Sequence, residues 1–90
     1  MSKATPETRE TRLKRLAIRS WRRGTREMDL ILGGYADACL SELGEDRLAA
    51  YEELLEENDQ DLYAWVAGTV EASLAHRDMV ERIANFHRIR

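Results

Sequence analysis

Arg22-Arg23-Gly24-Thr25-Arg26-Glu27-Met28-Asp29 is the stretch on which the reading of this chain turns. Upstream of it, Leu13, Leu16, Ala17 and Trp21 recur at i, i+3, i+4 and i+8, the spacing of one apolar helix face. Downstream, Met28, Ile31, Leu32, Tyr35, Ala36, Cys39 and Leu43 draw a second stripe. Between the two stripes Gly24 supplies a stop, because glycine takes the left-handed conformation after a helix at no steric cost. Thr25 can then cap the next helix by accepting from a free backbone N–H, with Glu27 and Asp29 against its positive end. Helices joined by so short a turn fit a compact all-α bundle.

The same pattern continues to the end of the chain. Gly33 and Gly34 sit inside the second stripe, where each costs roughly 1 kcal/mol relative to alanine. They therefore predict a close helix approach or a bend. Gly44 closes that segment. Residues 46–57 put Leu48, Tyr51, Leu54 and Leu55 on one face and Glu52, Glu53, Glu56 and Glu57 on the other. Asp59 is expected to cap a fourth helix carrying Leu62, Trp65 and Val66, with Asp61 in its first turn and Gly68 near its end. A last helix over about residues 73–87 carries Met79, Val80, Ile83 and Phe86. Trp65, Leu55 and Ile83 are expected in the core. The fold class is all-α, a single small five-helix bundle over residues 9–90, with 1–8 as a flexible lead-in that holds the one proline. Ninety residues leave room for one core and little for an enclosed active-site cavity.

A net charge of −3 hides a strong asymmetry. Residues 1–27 carry nine Lys and Arg against three acids, a balance of +6, which leaves −9 on the other 63. Such a dipolar domain offers a basic face to something acidic, or packs a basic helix on an acidic remainder. The Arg-rich start raises the question of a transit peptide; Glu7 and Glu10 argue against one. No apolar run approaches the ~20 residues that span a bilayer. The single Cys39 excludes an internal disulfide and fits a reducing compartment. A cytoplasmic, unprocessed protein is the expectation.

Self-sufficient chemistry is hard to find. His76 and His87 stand eleven residues apart with no Cys or carboxylate at ligand spacing, so no metal site is expected, and both read as surface or helix-end residues. Gly33-Gly34 follows no strand and lacks the spacing of a phosphate cradle. Cys39, one turn after Tyr35, reads as a small buried residue, and the glutamates at 52, 53, 56 and 57 as a solvated helix face. The chain is not expected to be an enzyme. Arg9, Arg12, Lys14, Arg15, Arg19 and Arg22 could neutralise phosphates. They wrap around the first helix, though, and the acidic remainder would repel a polyanion.

The corner at Gly24 can be explained residue by residue through capping, with Arg22 and Arg23 at a negative helix end and Glu27 at a positive one. As a pattern it says more. Arg23-Gly24-Thr25-Arg26-Glu27 resembles the Arg-Gly-x-x-Glu signature of the small succinate dehydrogenase assembly factors that promote covalent FAD attachment. Met28-Asp29-Leu30-Ile31-Leu32 follows it as in that family. Tyr51-Glu52-Glu53-Leu54-Leu55 and Asp59-Gln60-Asp61-Leu62-Tyr63-Ala64-Trp65 are similar to its second motif, so the likeness covers about residues 12–88. Gln60 stands where the family is associated with proline.

The resemblance implies a five-helix bundle that acts as a maturation factor, without catalysing the reaction itself. Its partner would be the flavoprotein subunit of succinate dehydrogenase or, in some members, fumarate reductase. It implies a client-binding corner of Arg22, Arg23, Gly24, Arg26, Glu27 and Asp29, with Asp59 and Asp61 as a secondary interface. A monomer that holds no FAD tightly is the expectation, the flavin being the client's cofactor. Arg23 and Glu27 are expected together on an exposed corner, as donor and acceptor to the client. The competing reading is an antitoxin-like or nucleic-acid-binding regulator that uses the basic first helix.

Overall fold

The computed structural model describes residues 7–89, and all its regular structure is helical. Five α-helices follow in order: α1 (Arg9–Trp21), α2 (Arg26–Cys39), α3 (Glu45–Leu54), α4 (Asp59–Ala67) and α5 (Arg77–Phe86). Single 3-10 turns extend α2 (Leu40–Glu42) and precede α5 (Leu74–His76). Most of the expected lead-in lies outside the described residues. Its last two residues are engaged: Thr8 caps α1 by accepting from the Thr11 N–H, and the Glu7 carboxylate accepts two hydrogen bonds from Arg15.

One core holds the helices together. Leu16 of α1, Met28, Leu32 and Tyr35 of α2, Leu48, Tyr51 and Leu54 of α3, Leu62 and Val66 of α4, and Val80 and Ile83 of α5 are all buried. Leu55 and Ile83 are in the core as expected. Trp65 is only partly buried; its ring lies 5.7 Å from that of His76 at the edge of the core. Trp21 is also displaced from its expected place. Its indole lies across Gly33, where an added Cβ would come within 2.2 Å of the ring, and its Nε1 donates to Asp37 at the surface. Gly33 thus provides the close approach that its position predicted.

The fully buried polar residue of α1 is Ser20, whose hydroxyl meets the Leu16 carbonyl (2.7 Å) and the Tyr51 hydroxyl (2.6 Å). Tyr51 also reaches the Leu32 carbonyl, so one small polar cluster links α1, α2 and α3 inside an apolar core. Burial pushes the Tyr51 phenol well above its ordinary range, against the opposing hydrogen bond from Ser20.

The charge asymmetry resolves into contacts between helices. Arg9, Arg12, Arg15 and Arg19 line one side of α1 and pair with Glu45 and Glu52 on α3 and with Glu56 in the turn after it. This corrects two expectations. The arginines form a stripe, and Glu52 and Glu56 are bound to it instead of forming a merely solvated face; Glu57 in turn meets His76 at 3.1 Å. A long side chain facing a complementary helix finds a carboxylate at the spacing of successive turns. Each exposed pair contributes little singly, and together they form one network that bridges α1 to α3 and the turn after it.

The candidate functional site at the first helix turn

α1 ends at Trp21, with Arg22 as its C-cap. The chain then turns through Gly24 at φ +107°, a conformation that side-chain-bearing residues rarely adopt. Thr25 caps α2 as predicted, its hydroxyl accepting from the Met28 N–H at 3.2 Å. Asp29, one turn in, reaches back and accepts from the backbone N–H of Arg23 at 2.7 Å. The turn is therefore braced from inside α2, and Asp29 has a structural partner already.

Arg23 is not the exposed group that its place in the corner predicted. Its side chain is only 11% exposed and points into the gap between α3 and α4. There Nη1 donates to the Leu55 carbonyl (2.6 Å), Nη2 to the Glu57 carbonyl (2.7 Å) and Nε to Asp59 Oδ1 (2.8 Å). The physical reason is the end of α3. The chain leaves α3 through a turn whose Leu55 and Glu57 carbonyls point at the same spot, beside the negative end of the helix dipole, so they attract a cation with several donors in one plane. Asp59 adds a carboxylate on the same spot.

Asp59 is consequently the first residue of α4 and the partner of Arg23. The cap of α4 is Asn58, whose side-chain oxygen accepts from the Asp61 N–H at 2.9 Å. Asp61 is exposed and accepts from the Asn58 amide at 3.0 Å.

The residues left facing outward are Arg22, Gly24, Arg26 and Glu27. All four are exposed, and among the described residues the side chains of Arg22, Arg26 and Glu27 make no ion pair or hydrogen bond. A Cβ placed on Gly24 would meet nothing within 4 Å. Two shallow depressions flank this edge. One, of ≈ 700 Å³, is bordered by Trp21, Arg22, Gly24, Arg26, Asp29 and Leu30. The other, of ≈ 450 Å³, is bordered by Glu27, Met28, Asp59, Gln60 and Tyr63, and Thr25 lines both. The surface combines accessible backbone, free charge of both signs and apolar rims, which suits protein docking.

Elsewhere the reactive side chains have structural surroundings. Cys39 is partly buried, and that burial, with the Glu42 charge second, pushes its thiol up and away from reactivity. His76 stands at a helix end as expected, as the N-cap of α5, but it is buried beside Trp65 and Glu57 and not at the surface. His87, the C-cap of α5, is half-buried with Nε2 2.7 Å from the Ile31 carbonyl. Among the described residues no three His, Cys, Asp or Glu side chains gather at metal-binding distance, and no helix is long and apolar enough to cross a membrane. Arg9, Arg12, Arg15 and Arg19, four of the six basic residues that a nucleic acid would need, are engaged with carboxylates of α3 and the turn after it, which weighs against the regulatory reading.

Residues 14–87 match the family described as flavinator of succinate dehydrogenase. The chain is 44% identical over 63 residues to the succinate dehydrogenase assembly factor 2, mitochondrial, of Meyerozyma guilliermondii, covering 70% of this chain and 47% of that protein. It is 41% identical over 63 residues to the FAD assembly factor SdhE of Aliivibrio fischeri, with 69% and 73% covered. Against the succinate dehydrogenase assembly factor 2, mitochondrial, of Saccharomyces cerevisiae the identity is 37% over 71 residues, with 79% and 44% covered. The chain spans less than half the length of these mitochondrial relatives and about three quarters of the bacterial one.

Proposed function

The chain belongs to the succinate dehydrogenase flavinator family, and on that premise we propose that it is a maturation factor that binds the flavoprotein subunit of succinate dehydrogenase and promotes covalent attachment of FAD. The fumarate reductase flavoprotein is a second client by the same chemistry. The factor acts as a monomer in the cytoplasm and holds no flavin tightly.

The observation that carries this reading is the edge at Gly24. Its backbone is open to close approach, its φ of +107° requires glycine, and uncommitted Arg22, Arg26 and Glu27 surround it. A partner strand or loop can pack directly on that backbone and satisfy charges of both signs. Holding the client's reacting groups in one arrangement lowers a barrier with no catalytic residue from the helper, because pre-paid orientation is itself a large part of catalysis. The bond-forming steps then belong to the flavin and the client. Within this edge Arg22, Gly24, Arg26 and Glu27 touch the client. Arg23 and Asp29 give the edge its shape, and Asp59 and Asp61 form its α4 side.

The test is flavin fluorescence of the denatured client subunit in a gel, after incubation of the apo-subunit with FAD, with and without this protein. Added protein should raise covalent flavin severalfold, and Gly24→Arg protein should not. Equal flavin content with and without the factor would refute the reading.

A further inference from the structure

We propose that docking extends beyond the glycine edge into both flanking depressions, which together form a two-sided surface of opposite charge for a single loop of the client flavoprotein. The inference rests on the function proposed above and goes further by assigning residues and chemistry to the partner. Trp21 and Leu30 border the depression that also carries Arg22 and Arg26, and Leu30 is 50% exposed. Met28 and Tyr63 border the other, beside Glu27, and Tyr63 is 49% exposed. Leucine and tyrosine gain little from such exposure in a free domain. Here they line concave surface continuous with an edge where the Gly24 backbone is open to approach and Arg22, Arg26 and Glu27 carry free charge.

The charges determine the occupant's chemistry. On the Trp21 side Asp29 already accepts from the Arg23 backbone, so Arg22 and Arg26 leave that depression positive. On the Tyr63 side Arg23 neutralises Asp59, so Glu27 is the uncommitted charge. The matching loop crosses Gly24 and Thr25 with an apolar side chain on each side. It carries a carboxylate toward Arg22 and Arg26 and a cation toward Glu27. Aromatic anchors in small depressions beside polar contacts are the usual carriers of binding energy, and opposed charges fix the orientation of the loop.

The experiment measures the affinity of the purified apo flavoprotein subunit for the full chain and its variants, each checked for folding by circular dichroism. Leu30→Ala and Tyr63→Ala should each weaken binding at least tenfold. Leu74→Ala, at a position 79% exposed on the turn before α5, should bind like the parent. Arg26→Glu should slow association, most clearly at low salt. If Leu30→Ala and Tyr63→Ala bind like the parent while Gly24→Arg does not, contact stops at the edge and this inference falls while the functional reading stands. Loss at one flank alone overturns the two-sided surface. Parent affinity in Gly24→Arg refutes the functional reading itself. Self-association that the two flank variants abolish, with client affinity unchanged, would assign the depressions to a second copy of the chain and overturn the inference.

Discussion

Replacing Arg23 tests the least expected feature of the structure, an arginine beside an exposed glycine that serves the interior. Its three hydrogen bonds, at 2.6, 2.7 and 2.8 Å, go to two carbonyls in the turn after α3 and to Asp59. A hydrogen bond to a charged group is worth about 1.5–3 kcal/mol, and losing one partner of a fully buried ion pair costs about 3–5 kcal/mol. Asp59 is 21% exposed, so water reaches part of what Arg23→Ala would vacate, and the contributions cannot simply be added. We expect a loss of about 2–4 kcal/mol. A domain of this size has roughly 5–13 kcal/mol in all, so the effect is large. Arg23→Lys keeps the charge but offers donors on one nitrogen instead of three in a plane, and should lose about half as much. Arg22→Ala, one residue away and exposed without a partner, should stay within about 0.5 kcal/mol. Urea denaturation followed by circular dichroism gives all three values. Coincident midpoints for Arg23→Ala and Arg22→Ala would refute the inward role of Arg23.

Gly24→Arg should leave a folded bundle that no longer matures the client; the positive φ adds about 1–2 kcal/mol of strain, and gross unfolding would show the glycine to be chiefly structural. Glu27→Gln should cost at most about 0.3–1 kcal/mol of stability as a helix-start charge yet weaken client binding by about 2 kcal/mol or more if it meets a desolvated cation; unchanged affinity by calorimetry would leave it a capping residue. Gly33→Ala gains about 1 kcal/mol in helix propensity but forces the Trp21 ring aside, costing about 1–3 kcal/mol, so it should lower the thermal midpoint and shift indole emission, and a stabilised variant would contradict the packing. Partial burial raises the Glu52 carboxyl, but hydrogen bonds from Arg15 and Arg12 outweigh this and hold it below its ordinary value. Its contribution is therefore complete above an unfolded value of about 4.3 and is lost as pH falls through the lower native one. Denaturation at neutral pH and near pH 3 should show Glu52→Gln with a shallower acid loss than the parent; identical losses would dismiss the pair.

Helix number, order and the turn at Gly24 were legible because periodicity and capping are local. Thr25, Gly33 and most of the buried faces of α2, α3 and α5 followed from neighbours within a few residues, although Phe86, expected on the α5 face, is 42% exposed. The errors share a different cause, which is apposition between helices. Arg12, Arg15, Arg19 and Arg23 recur at three- and four-residue steps, and so do Glu52, Glu56 and Asp59. Each set alone reads as ordinary solvated charge. Only their facing each other makes a network, and no single helix reports what faces it. Ser20 was missed for the same reason: a serine beside Trp21 reads as polar surface until Tyr51 arrives from α3 to meet it. Once Ser20 holds the inner face, Trp21 is rotated outward onto Gly33. Cap assignment also shifted by one residue, from Asp59 to Asn58, because Asp59 is drawn to Arg23.

That shift explains how one short motif divides its work. The inner side of this corner is the turn after α3, whose Leu55 and Glu57 carbonyls lie beside Asp59, so the two charges of the motif part ways. Arg23 goes inward because three acceptors lie there, and Asp29 closes the turn behind it. Gly24 can then be held at a positive φ on an open edge without a side chain to support it. Glu27, Arg22 and Arg26 remain outside with free charge, next to the apolar rims of Leu30 and Tyr63. A rigid edge loses less conformational freedom when a partner docks, so on the proposed function the inward arginine is expected to raise affinity by shaping the edge. The arginine and the glutamate of the motif should therefore fail in different ways. Arg23→Lys should lower both stability and binding, and tethering α4 to the turn by another route should restore binding. Glu27→Gln should lower binding alone, and no stabilising change elsewhere should restore it.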